Sequence, residues 1–435
     1  MISLFLYNFA WVLFSPLVVL LFLFRWLKGK EDSKRFKERL GCTGFQRPEG
    51  RLIWMHGASV GECLSMLPLI QKLLNEDKEL HIMVTSGTVT SANLMAKRLP
   101  KRAFHHYLPI DFPGFTTRLI RHFKPDAVFW FESEFWPNAL YAFKSAKVPF
   151  VLLNGRISDK SFKRWKKLPF VIKPLLHCFS LTLGQSPENE ERLKKLGSPA
   201  TACVGNIKCA APASPFSKEE LALLKKQIGY RHCWCGASTH NNEEEMIAEI
   251  HSHLKNDFPD LLTICVPRHP NRADELQKMF EKKGLHVARR SRKERITANT
   301  QIYLADTIGE MGLLYQLAPI VFVGGSLIKF GGQNMLEPMY WGKTVFVGPY
   351  AFNFRAFMAE GKKQKALREV PNAPALQEQI RYFLMHPDDA QKIGQRAHQM
   401  AISEMAVLDR LYALLQEKGY ITCKHQNSGT KKQVS

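Results

Sequence analysis

The sequence predicts an α/β protein of two successive doubly wound domains facing a cleft, preceded by an N-terminal hydrophobic membrane-anchor helix. Three observations carry this. The chain has 435 residues, more than one ordinary domain holds. Short apolar runs alternate with amphipathic stretches, and each run ends in a loop of small and polar residues, the pattern of βαβ units on a parallel sheet. From Ile2 to Phe24 there is no charged residue at all. With 45% hydrophobic and 11% aromatic residues the chain builds real cores, which excludes a disordered protein.

The first element is the uncharged segment ISLFLYNFAWVLFSPLVVLLFLF. A bilayer core takes roughly 20 apolar residues as a helix, so this segment is long enough. No basic region precedes it, which argues against a cleaved secretory signal. Arg25, Lys28 and Lys30 follow at once and place what comes after in the cytoplasm by the positive-inside rule. Asn8 and Pro16 interrupt the segment and leave open a helix lying in the interface rather than across it. Residues 1–30 are therefore read as the anchor, a buried core helix being the competing reading.

After a basic connector the strand-loop-helix pattern begins, and residues 31–210 form the first domain. RLIWM (51–55), HIMVTS (81–86), DAVFWF (126–131), VPFVLLNGRIS (148–158) and FSLTLGQS (179–186) are its strands with their loops. A Pro- and Ala-rich stretch, AAPASPF (210–216), reads as an interdomain hinge. Residues 217–420 repeat the scheme with HCWCGAST (232–239), LLTICVPRHP (261–270), HVARR, QIYLADT, IVFVGGS (320–326) and TVFVGP (344–349), and end in long helices between Pro371 and Lys418. Residues 421–435 read as a polar tail.

Charge and cysteines narrow the class. A formal charge of +22 implies an anionic counterpart: nucleic acid, an acidic bilayer or a phosphorylated substrate, with a merely solubilising basic face as the plain alternative. The anchor and the lack of any nucleic-acid-binding module argue against nucleic acid. Nine scattered cysteines, an odd number with no CxxC, argue against a disulfide framework or zinc ribbon and for a reducing compartment. No DxD motif offers to hold a metal.

Five loops after strands carry candidate chemistry. In HGASVGE (56–62), Gly57 and Gly61 allow a tight turn and Glu62 enters the following helix. A carboxylate there can accept a proton from an attacking hydroxyl or simply complement the helix dipole. In FESEFWPN (131–138), Glu132 and Glu134 either orient a substrate or cluster before Pro137 as a helix cap. VPRHP offers Arg268, whose planar fork suits a phosphate or a surface salt bridge. In ADTIGEMG, Asp306 or Thr307 caps a helix whose first N–H groups form an anion site, or makes a plain capping box with Glu310. VGGSLIKFGGQNMLEP (323–338) lets backbone approach a phosphate at its four glycines and places Glu337 for ribose hydroxyls. Neither a GxGxxG nor a P-loop is present.

In order, HGASVGE, TSGTVTS, ESEFWPN, LNGRISDKS, GNIK, GAST-x-x-x-EE, VPRHP, ADTIGEMGLLY and VGGSL…GGQNMLEP resemble the 3-deoxy-D-manno-octulosonic acid (Kdo) transferase family, from the anchor to about residue 415. The resemblance implies a GT-B architecture of two Rossmann-like domains and inverting transfer, without a cofactor, from CMP-Kdo to the 6′ hydroxyl of a lipid A precursor. That acceptor belongs to lipopolysaccharide synthesis on the cytoplasmic face of the inner membrane. It makes Glu62 the general base and Ser59, Glu132, Glu134 and Arg156 acceptor-facing or orienting residues. Lys208, Arg268, Gly309, Glu310, Met311, Gly325, Asn334 and Glu337 are then the donor site, and closure across residues 205–216 excludes water. A GT-B enzyme with another nucleotide-sugar donor is the alternative. One departure from the family pattern falls after GNIK: Cys209 and Ala210 stand where an aromatic residue and Asp are common, which bears on the partners of Lys208. SFKRWKKLPFVIKPLL (161–176) interleaves basic and aromatic residues as an interfacial segment does, a solvated loop being the alternative.

Overall fold

The computed structural model describes residues 2–210 and 214–421; part of the expected hinge, nearly all of the expected tail and Cys423 lie outside them. The chain forms two compact units, Met1–Ala211 with Ala406–Ser435, and Pro212–Met405. Each is built on a seven-stranded sheet whose strand pairs are all parallel.

The first sheet holds β1 (Arg51–His56), β2 (Leu80–Ser86), β3 (Ala103–Tyr107), β4 (Ala127–Phe131), β5 (Phe150–Gly155), β6 (Leu181–Gly184) and β7 (Thr201–Cys203) in the order β3-β2-β1-β4-β5-β6-β7. Its central strands are apolar without alternation because helices cover both faces; Leu52–Met55 and Val128–Phe131 are fully buried. The order reverses between β1 and β4, and such a switch point opens a crevice at the carboxyl ends of the strands. HGASVGE follows β1 and ESEFWPN follows β4, so the two loops meet there.

The second sheet holds β8 (Cys233–Thr239), β9 (Leu262–Pro267), β10 (Val287–Arg289), β11 (Ile302–Leu304), β12 (Ile320–Val323), β13 (Thr344–Val347) and β14 (Arg368–Glu369), ordered β10-β11-β9-β8-β12-β13-β14. Its reversal lies between β8 and β12, beneath the expected VGGSLIKFGGQNMLEP loop that follows β12. The short strands β3, β7 and β14 are additional to those read from the sequence.

Helix α1 (Ile2–Leu27) continues through Pro16. It is long and apolar enough to cross a membrane, at a mean hydropathy of 2.1 from Leu4 to Leu27. One side, with Phe5, Phe9, Leu13, Leu17 and Leu20, is exposed. The other lies along the first unit. The Tyr7 hydroxyl donates to Asp111 at 3.0 Å, Trp11 packs edge-on against Phe112, Phe22 packs against Phe36, and Arg25 pairs with Glu31 at 2.7 Å. From Tyr7 to Phe22 the helix keeps this contact for about 22 Å at 1.5 Å per residue. Short helix α2 (Phe36–Arg39) sits beneath it, so the basic connector is folded rather than extended.

The end of the chain departs from expectation. Residues 217–420 do not form one unit: the last helix, Val407–Glu417, returns to the first. Val407, Leu411, Leu415 and Ile421 are buried in one core with Ile53, Met66, Ile70 and Leu181. The apolar pattern of an amphipathic helix shows that a core is needed but does not name the core it joins.

The 161–176 segment also differs. It forms two helices, Asp159–Lys166 and Pro169–Leu176. Phe162 and Trp165 pack toward the core and Ile172, Leu175 and Leu176 are buried, leaving Phe170 as its one exposed aromatic ring. The segment therefore presents mainly its lysines and Arg164 to solvent.

Candidate functional site

In the first unit, helix α3 (Val60–Glu76) starts at Ser59, whose hydroxyl accepts the Glu62 N–H at 3.2 Å. Close approach makes the turn: a β-carbon on Gly57 would come within 2.8 Å of Met66 and 3.1 Å of Glu62. The Glu62 carboxylate turns back into it. Oε2 accepts the Ala58 N–H and Oε1 the Ser59 hydroxyl, both at 2.8 Å. Glu62 thus does the work of a cap, and each carboxylate oxygen keeps a further lone pair. Burial pushes its pKa above the usual carboxylate range against the pull of those two hydrogen bonds, and the nearby charges of Glu132 and Glu134 push the same way.

Glu132, just after β4, lies in the left-handed region, at φ +58°. A non-glycine residue held there marks a position where local strain is kept by its surroundings. Its carboxylate is ion-paired with Lys208, on a short 3-10 turn of the same unit. The Lys208 turn is held in place by Asn154, itself at φ +56°, whose side-chain oxygen accepts the Ile207 N–H at 3.0 Å. Glu134 is raised in pKa by burial and by Glu132. Neither glutamate caps the Pro137–Ser145 helix. Asp111, from the loop after β3, accepts the N–H groups of Asn138 at 3.1 Å and Ala139 at 2.8 Å instead. Arg156 is exposed, and its backbone pairs in both directions with the Ser133 hydroxyl. Glu62, Ser59, Glu132, Glu134 and Arg156 are thus gathered at one sheet edge, joined by Lys208, which the sequence reading put with the donor residues.

The second unit organises its glycine loop around a residue to which the sequence reading gave no role. Glu243, fully buried, accepts the N–H groups of Gly325 at 2.7 Å and of Ser326, Leu327 and His240 at 3.1 Å each. Burial raises its pKa and these four donors lower it. Gly325 sits at φ +66°, and a β-carbon there would press on the rings of His240 and Phe330. Those rings lie 3.9 Å apart, with Gln333 hydrogen-bonded to His240 at 3.0 Å. The GAST-x-x-x-EE spacing carried the signal: an acid in the first turn after a central strand.

Arg268 is exposed just beyond β9, with no carboxylate partner among the described residues. Asn334 is exposed, and its side chain accepts the Leu336 N–H at 3.0 Å. Glu337 accepts the Ser214 N–H at 2.9 Å. The ADTIGEMG loop differs from its expected form. The helix it leads into is only Met311–Tyr315, too short for a strong terminal dipole. Asp306 does not cap it; the carboxylate takes Arg289 at 2.8 Å and the N–H and hydroxyl of Ser291. Glu310 forms a two-point pair with Arg290, which makes it a structural residue here. Gly309, at φ +89°, and Met311 beside it leave backbone near the surface.

Residues 34–211 match the sequence profile described as 3-deoxy-D-manno-octulosonic-acid transferase (kdotransferase). The chain is 33% identical over 389 residues to the 3-deoxy-D-manno-octulosonic acid transferase of Rickettsia bellii, covering 89% of this chain and 92% of that one. It is 32% identical over 418 residues to the Haemophilus influenzae protein of the same name, covering 94% and 97%. Among solved structures, a glycosyltransferase from Rickettsia africae aligns with a TM-score of 0.58 at 15% identity, over 87% of this chain and all of that one. A UDP-GlcNAc 2-epimerase from Neisseria meningitidis aligns at 0.57 and 14%, over 84% of this chain and all of that one. These two speak for the fold alone, two Rossmann-like units in the GT-B manner.

Proposed function

The chain belongs to the 3-deoxy-D-manno-octulosonic acid transferase family and is a glycosyltransferase, and on that premise we propose that it moves Kdo from CMP-Kdo to the 6′ hydroxyl of a lipid A precursor with inversion. The observation that carries the mechanism is Glu62: a carboxylate at a switch-point crevice, desolvated and facing two other carboxylates, with its pKa raised toward the working range of a base. Glu62 accepts the proton of the acceptor hydroxyl as that oxygen attacks the anomeric carbon of the donor. The bond from that carbon to the CMP phosphate oxygen breaks, and CMP leaves with the bonding pair. Ser59 and the Ala58 N–H aim the carboxylate. Lys208 pairs with Glu132 and offsets its charge beside Glu62.

On the donor side, the exposed guanidinium of Arg268 suits the phosphate of CMP. The loop braced by Glu243 offers backbone near Gly325, and Gly309, Met311, Asn334 and Glu337 complete the nucleotide site. Glu337 would then release the Ser214 N–H for a ribose hydroxyl. Positively charged residues placed where the leaving phosphate gains charge lower the barrier to its departure. The basic surface and α1 suit a membrane-borne, phosphorylated acceptor at the cytoplasmic face of the inner membrane.

The test is transfer from CMP-Kdo generated in situ to a tetraacylated lipid A precursor, read by product mass, for the wild type and Glu62→Ala. Added Kdo mass with the wild type, and none with a variant that still binds CMP, supports both donor and base. A folded, CMP-binding wild type that leaves the acceptor unchanged refutes the substrate assignment.

A further inference from the structure

Helix α1 and the body of the first unit enclose a groove of about 630 Å³. This lies within the roughly 300–1,000 Å³ of small-molecule sites. Its walls are Val18 and Phe22 from α1, Phe36 and Leu40 from α2 and its flank, and Ile110 and Phe115 from the segment after β3. The wall's polar groups are the hydroxyls of Ser15 and Ser33 and the indole N–H of Trp11 and Trp26, and the Ser15 hydroxyl is already donated to the Val12 carbonyl at 2.8 Å. A wall with so little hydrogen-bonding capacity selects hydrocarbon. The helix forming one side exposes an apolar stripe along its opposite face, so the groove opens beside a surface suited to lipid.

Two ties join the groove to the candidate base. Between Phe36 and Leu40, Arg39 points the other way and donates to the Gly87 carbonyl at 2.7 Å. A β-carbon on Gly87 would meet the Ala58 carbonyl oxygen at 3.7 Å, and the Ala58 N–H donates to Glu62. Between Ile110 and Phe112, Asp111 accepts the first N–H groups of the helix that follows the Glu132–Glu134 loop. The groove and Glu62 thus stand at the same carboxyl edge of one sheet.

We infer that this groove holds one acyl chain of the lipid acceptor, so that α1 forms a wall of the acceptor site as well as an anchor; the inference rests on the lipid acceptor proposed above. The chain's contact with α1, α2 and the segment after β3 sets the reach of the sugar headgroup from the groove to Glu62.

The full-length protein in phosphatidylcholine nanodiscs is irradiated with tetraacylated acceptor bearing a diazirine at the end of one acyl chain, and adducts are mapped by peptide mass. Adducts on residues 11–22, 36–40 or 110–115, lost with excess unlabelled acceptor, are expected. Adducts elsewhere overturn the inference. So does labelling of the groove by a diazirine phospholipid that the acceptor does not displace, which would make the groove a site for bulk lipid. A second measurement fills the groove with Val18→Trp: KM for the acceptor should rise at least tenfold while KM for CMP-Kdo, the control for folding, holds, and an unmoved acceptor KM would also overturn it. Wild-type transfer is measured alongside. No transfer marks a failure of the proposed function, whereas transfer with adducts elsewhere refutes the groove alone.

Discussion

At the scale of single residues, the proposed chemistry rests on three neighbouring carboxylates, and their mutual repulsion can be tested. A base works only when ionised, so activity through Glu62 is lost as pH falls through its raised pKa. The Glu132 charge contributes to that rise. Glu132→Gln should therefore move the acid limb of the kcat/KM profile to lower pH, and an unmoved limb would mean that the two groups do not communicate. Replacing Glu62 with Ala should lower transfer by about 10²–10⁴-fold, the usual worth of a positioned base. Loss of its cap bonds should cost only about 1 kcal/mol of stability, read by thermal unfolding. Asp111 carries a different pH signature. Burial lifts its pKa from 3.8 to about 6, so the folded state binds a proton that the unfolded chain has already released. Its contribution to stability therefore falls as pH rises from about 4 to about 6 and is level above. The stability difference between wild type and Asp111→Asn should show that slope, on the order of 3 kcal/mol at 1.36 kcal/mol per pKa unit. Glu132 and Glu134 were legible because they stand directly after an apolar strand, and Glu62 because it enters the helix behind a turn of small residues. Glu243 showed only as an acid in the first turn after a strand and Asp111 not at all, because each serves backbone distant in sequence and only the fold reveals the partner.

At the scale of elements, buried parallel strands were the most legible part, since helices on both faces turn them into unbroken apolar runs. AFHHY was missed as β3 because it carries two histidines, His105 and His106, both buried and held neutral; burial drops His105 to about 3. TAC and RE are simply too short to stand out as β7 and β14. Replacing Glu243 with Gln puts an amide NH₂ among four backbone donors and leaves N–H groups of the glycine loop without an acceptor. CMP affinity should drop about tenfold by calorimetry, one lost charged hydrogen bond's worth of roughly 1.5 kcal/mol, with the first unit's melting unchanged. The last helix gives a parallel test in the first unit. Leu411 is fully buried there, so Leu411→Ala should cost about 2–5 kcal/mol. Hydrogen exchange should quicken in β1, β2 and α3 while the strands of the second unit keep their protection.

At the scale of the whole molecule, the excess of 61 basic over 39 acidic side chains and the exposed stripe of α1 offer a membrane two attractions of different physics. Attraction to an anionic surface falls off within about 10 Å at 0.1 M salt, whereas burial of apolar area is insensitive to screening. Binding to anionic vesicles should weaken as salt is raised from about 0.05 to about 0.5 M and level off above zero. A variant lacking residues 2–27 should instead lose binding altogether at high salt. The return of the last helix has another consequence, in the order in which the molecule is made. The first unit is first off the ribosome, yet Val407, Leu411 and Leu415 emerge only after all of the second unit has been synthesised. At about 5–20 residues per second, the intervening segment keeps that core open for some tens of seconds. The second unit, contiguous in sequence, is free to close first. The half of the enzyme that is translated earlier is thus the half that matures later, and a nascent chain stalled before Val407 would carry a finished second unit on an unfinished first one.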